Sequence, residues 1–202
     1  MFDHIASKLR KNGLEADGLW MHGLSSYNLA KHNNECDPDD NIVEHVFKIK
    51  WVDVSEPDAK TRDDSAIELG HCKCLYLPGS TKGGRELLNL LEVAEAYSGD
   101  LLEAISPIVN SEGGLDFKYP PLSNDIVYIE HIEVKPDYWD KGVGSAALYL
   151  LSNTIFPGAG IGVTLLDDDT PEFIKKLLIN LDFYRAEKPS EDGLEVWVKN
   201  MA

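Results

Sequence analysis

Gly142 and Gly144 stand between a strand-like run and a helix-like run, a setting suited to holding a phosphate. Ahead of them, Ile126 to Val134 is rich in Ile, Val and Tyr, the composition of a strand. After them, Ser145 to Phe156 carries Leu148, Leu151 and Ile155 at helical spacing. Glycine at both positions lets the chain turn tightly and leaves no side chain over the helix N-terminus. The unpaired amides there, at the positive end of the helix dipole, make a seat for an anion. A turn that needs two glycines for its backbone alone is the plainer alternative, and no Walker-type Lys-Ser/Thr follows the pair.

The wider stretch, Val134-Lys-Pro-Asp-Tyr-Trp-Asp-Lys-Gly-Val-Gly144, resembles the acetyl-CoA-binding segment of the GNAT superfamily of N-acetyltransferases. Members carry Gln/Arg-x-x-Gly-x-Gly/Ala there. The matching positions are Trp139, Asp140, Lys141, Gly142, Val143 and Gly144, so both glycines agree while Trp139 and Asp140 depart from the pattern. The resemblance implies that the coenzyme's pyrophosphate sits on Asp140, Lys141, Gly142, Val143, Gly144 and Ser145. It implies that the pantetheine arm runs along Ile132, Glu133 and Val134. The tail is similar as well: strand, helix, then Asp182-Phe183 where members carry Gly-Phe. The family's helix Tyr, its usual acid for the leaving thiolate, falls on Leu178.

Acetyl transfer to an amine needs a base for the ammonium proton, a held geometry and an acid or water for the thiolate. Strict alternation along Ile126 to Val134 puts Tyr128, Glu130, Ile132 and Val134 on one face and His131 and Glu133 on the other. Glu130 then stands among apolar groups and is the expected base, its pKa raised by desolvation. His131 is the rival base. Tyr128 and Tyr184 are the remaining tyrosines weighed for the thiolate. His71-Cys-Lys-Cys74 offers no metal site, since His71 faces away from two thiols that read as small buried residues.

These residues need a sheet to position them. The resemblance implies an α/β (α+β) fold: a mixed, mostly antiparallel central sheet, a splayed strand pair and flanking helices. The pattern predicts a helix over Phe2 to Lys11, strands over Ile42 to Val54 and Ala66 to Leu77, and a helix over Arg85 to Tyr97. A second helix starts at Asp100, with Glu103 in a capping box. A strand over Gly160 to Leu166, a helix capped by Thr170 and led by Pro171, and two short strands complete the chain. The whole reads as one GNAT-like domain over residues 1–202, with an N-terminal arm over 1–40 and a helical insertion over about 80–123. The insertion's leucine face must be buried, by covering the acceptor site or by forming a homodimer interface.

The net charge of −16, from 19 basic and 35 acidic residues, argues against a nucleic-acid backbone or an anionic membrane as partner. It suits an amine acceptor, or serves solubility alone. No apolar run approaches a membrane span and the N-terminus has no signal-peptide core, so a cytoplasmic setting with its three cysteines reduced is expected. The reading is therefore transfer of an acetyl group from acetyl-CoA to an amine. The alternatives are a GNAT-fold binding or regulatory module, or transfer from a different acyl-CoA.

Overall fold

The computed structural model describes residues 2–27, 42–53, 66–79, 89–116, 123–156 and 159–201. Among the described residues seven strands form one sheet: β1 (Leu19–Tyr27), β2 (Val43–Trp51), β3 (Ile67–Leu77), β4 (Ile126–Val134), β5 (Ile161–Leu166), β6 (Tyr184–Arg185) and β7 (Glu195–Asn200), in the order β1-β2-β3-β4-β5-β7-β6. Every neighbouring pair is antiparallel except β4–β5, which is parallel. This is the mixed, mostly antiparallel α/β arrangement expected. No helix among the described residues is long and apolar enough to cross a membrane.

Helices cover both faces. On one face lie α1 (Phe2–Lys11), α4 (Val143–Leu150) and α5 (Glu172–Asn180). Their buried Ile5, Leu9, Ala147, Leu148 and Leu178 pack on Val127, Ile129, Cys72 and Cys74 of the sheet. On the other face α2 (Leu90–Tyr97) and α3 (Gly99–Ile105) bury Leu90, Val93, Leu101 and Ile105 against Leu75, Leu77, Ile126 and Tyr128. The described part of the insertion thus buries apolar side chains on its own sheet.

Several elements differ from the sequence prediction for local reasons. Ser98, not Asp100, caps α3: its hydroxyl accepts from the Leu101 amide at 3.2 Å. Glu103 makes no capping box and instead accepts from the Asp192 amide at 3.1 Å. Thr170 does not cap α5; its hydroxyl donates to Asp167 Oδ1 at 2.5 Å, and Pro171 takes the cap position. The helix predicted to reach Phe156 is α-helical only to Leu150 and widens into a π-helix over Leu151–Ile155. The start of the helix predicted from Arg85, and the end of the N-terminal arm, lie outside the described residues.

The largest departure is in β4. Its register against β3 slips between Lys73 and Cys74: Lys73 pairs with His131, and Cys74 with Ile129. Glu130 is the extra residue of a β-bulge, where two residues of one strand face one of its partner. The bulge reverses the alternation. Ile126 and Tyr128 point to the α2–α3 side, whereas Ile132 and Val134 join Val127 and Ile129 on the α1–α4–α5 side. The predicted grouping of Tyr128 with Ile132 and Val134 is therefore incorrect, because one inserted residue flips every side chain after it.

Candidate functional site

β4 and β5 pair only from Ile126 to Tyr128 against Ile161 to Val163. Beyond that the last link is a side chain: Thr164 Oγ1 donates to the Ile129 carbonyl at 3.0 Å. The strands then part, and a cavity of about 770 Å³ opens between them. Its walls come from β4, from the loop and first turn of α4, from α1, and from α5. A splayed pair exposes backbone groups that a closed ladder would have consumed, which is where an extended ligand can be held.

The loop after β4 ends in the predicted helix N-terminus. Pro136–Tyr138 makes a 3-10 turn, Asp140 adopts φ 57°, and Gly142 adopts φ 90° as the N-cap of α4. No side chain caps this helix, so the first-turn amides of Val143, Gly144 and Ser145 have no intrahelical acceptor. All three residues line the cavity, as do Asp140 and Gly142. A Cβ at Gly144 would meet only Val134 Cγ2, at 3.6 Å, so the space above the turn is open. A diphosphate therefore fits the donors present. Ile132 and Val134 also line the cavity. Lys141 does not; its ammonium lies 5.2 Å from the Tyr138 ring centroid. Glu133 turns the other way, its carboxylate 3.5 Å from His71 Nε2.

Glu130 lines the cavity but is not the isolated carboxylate expected on an apolar face. Its Oε2 lies 2.9 Å from Lys73 Nζ, which also reaches Glu44 at 3.2 Å. Tyr97 donates its hydroxyl to the same Glu44 at 3.1 Å. Burial alone would lower the Lys73 pKa; the hydrogen bonds to Glu130 and Glu44 outweigh it and hold the ammonium above the usual lysine range. Because of the bulge, His131 shares the cavity with Glu130, its Nδ1 3.9 Å from Glu130 Oε1, and its ring stands edge-on to His71 at 5.4 Å. The two rival bases of the sequence reading are thus neighbours rather than opposites.

The two other tyrosines weighed for the thiolate lie apart from the cavity. Tyr128 is buried on the α2–α3 side, and burial pushes its hydroxyl up to about 12. Tyr184 is on β6 at the far sheet edge, 45% exposed. Leu178 is a core residue of α5, 2% exposed. Cys72 and Cys74 are free, buried thiols, and their hydrogen bond together with burial raises the Cys74 thiol well above its usual value.

Sequence reasoning missed the cavity's cationic wall. α1 supplies His4, Ile5 and Lys8, and α5 supplies Phe173 and Lys176. A Cβ at Gly142 would lie 3.4 Å from the Lys8 stem, so that side chain runs along the glycine loop. The available signal was the amphipathy of α1. Ile5 and Leu9 fix its inner face, and Lys8 lies between them on the edge of that stripe.

No family model matches the chain, and no curated protein matches it significantly. Among solved structures, the chain is similar to Arabidopsis thaliana NAA60 in complex with a bisubstrate analogue. The two share 14% identity over 79% of this chain and 76% of that one, with a TM-score of 0.39, a likeness too distant to bear on function.

Proposed function

We propose that this protein transfers an acetyl group from acetyl-CoA to a primary amine. The observation that carries the proposal is one of position: the glycine-led, uncapped N-terminus of α4 opens into the gap where β4 leaves β5. An anion seat at one end of a strand-lined slot suits a ligand with a diphosphate and a long amide-bearing arm. In this reading the amides of Val143, Gly144 and Ser145 hold the diphosphate and Lys8 adds charge. The backbone of Ile132 to Val134 lies along the arm.

The donor supplies an activated acetyl thioester. Glu130 and His131 share the task at the acceptor nitrogen. Glu130, held in place by Lys73, draws in the acceptor's ammonium, and one of the pair takes its proton. The neutral amine then attacks the thioester carbon, the carbon–sulfur bond breaks, and the thiolate takes a proton from water; Tyr128 and Tyr184 do not line the cavity. Glu130, the carboxylate that lines this end, favours a cationic acceptor.

A second reading, a binding module without turnover, is favoured by one observation. Leu178 packs in the core where the family's acid would stand. Thiol release from acetyl-CoA, measured against a panel of amines with native protein and Glu130→Gln, separates the two. Turnover that falls in the variant near neutral pH supports acetyl transfer; coenzyme binding with no thiol release from any amine supports the module.

A further inference from the structure

Trp139 is the residue that departs furthest from the pyrophosphate-loop pattern, and it is 63% exposed. A large ring left this open is not filling a core. It is also not loose: its Nε1 donates to the Val134 carbonyl at 2.7 Å, which fixes the indole against the end of β4. Both Trp139 and the first-turn residue of α5, Phe173, which is 62% exposed, line the same cavity from different elements. The same lining carries groups able to bear positive charge, His4, Lys8 and Lys176. It also carries the carboxylates of Asp140 and Glu130, which match the two lysines, so the uncapped amides of α4 tip the balance towards an anion.

A fixed, solvent-facing indole beside phosphate-binding donors is the chemistry that recognises a nucleotide. The ring offers a face for a purine, and the amides and lysines take its phosphates. We infer that Trp139 is the stacking platform for the purine of the donor's nucleotide end, so that the replacement in the loop motif supplies a base contact. This rests on the acetyl-CoA reading above. Holding the Val134 carbonyl also lowers the cost of binding, because the ring is ordered before the ligand arrives.

The test is titration calorimetry of native protein, Trp139→Ala and Trp139→Phe, each with acetyl-CoA and with adenosine bisphosphate, the coenzyme's nucleotide half. Trp139→Ala should weaken both ligands by the same factor, about 5- to 150-fold for one lost stacking contact. Trp139→Phe keeps a ring but loses the anchor to Val134, and should fall between native and Ala for both. Equal affinities in native and Trp139→Ala overturn the inference. So does a loss seen with acetyl-CoA but not with adenosine bisphosphate, which would place the indole against the arm. Because Trp139 is exposed, unchanged thermal melting checks that the variants fold; if Ala melts early, the Phe variant decides by the same comparison. A native chain that binds neither ligand removes the acetyl-CoA reading and this inference together, whereas native binding with no Trp139 effect removes only this one.

Discussion

Lys73 and Glu130 meet at 2.9 Å where the β3–β4 ladder slips, so the cavity's central carboxylate is tied to a lysine of the neighbouring strand. The pair is about three-quarters buried on the lysine side, and Glu44 completes it. Lys73→Met leaves two part-buried carboxylates without their cation and should cost about 1–3 kcal/mol, measured by urea unfolding. The Lys73 pKa is raised in the folded state, so its contribution is fully present below the unfolded lysine value of about 10.4 and is lost only as pH rises above it. The deficit of the variant should therefore be flat from pH 6 to about 9. A deficit that changes across that range would show that the charge of Lys73 is not its source.

The two loop glycines should separate by substitution. Gly142 holds φ 90° and an added Cβ would lie 3.4 Å from the Lys8 stem, so Gly142→Ala should lower stability by about 1–2 kcal/mol. Gly144 is helical with open space, so Gly144→Ala should melt like the native protein. Thermal melting of the two variants, side by side, checks the contrast.

Lys199 is 6% exposed, with its ammonium 3.2 Å from Asn153 Oδ1 and 3.4 Å from Ser152 Oγ on the π-helical turn. Burial lowers its pKa, with Asp182 acting weakly the other way. A lysine with a depressed folded pKa opposes folding below that pKa, and the opposition fades as pH climbs towards about 10.4. Lys199→Met should thus melt higher than native at pH 7, with the gap closing by pH 10. A gap that stays constant would show that charge burial is not its origin.

Tyr128 titrates late because it is buried, with Asp100 and Glu130 adding to the shift. Its hydroxyl stays neutral in the fold up to about 12. Unfolded tyrosine ionises near 10, so this group's contribution is present below pH 10 and is lost between there and 12. Tyr128→Phe should remove that component of the alkaline decline in unfolding free energy and leave kcat near native, since the side chain lies on the face away from the cavity.

The strand over Ile126 to Val134 was legible to the residue, as was α1, because both have strong periodicity and clear ends. The glycine-led start of α4 was legible too, since glycine spacing reports backbone conformation directly. The bulge at Glu130 was not. It has no glycine or proline to mark it, and it arises from how β3 and β4 fit together, which a single strand's pattern does not contain. That one residue set Glu130 beside Lys73 and parted Ile132 and Val134 from the face of Tyr128. The caps failed for a similar reason: Thr170 and Glu103 had competing partners in Asp167 and Asp192. The cationic wall from Lys8 and Lys176 depends on α1 and α5, far apart in sequence, lining one cavity.

The most direct test is calorimetry of acetyl-CoA with the native chain and with Gly144→Glu, whose carboxylate would project into the open space over the α4 amides. Saturable binding to native protein, with none to a variant that still melts as a folded protein, is the expected result. No heat from the native chain, or equal heat from both, would contradict the seat at Val143 to Ser145.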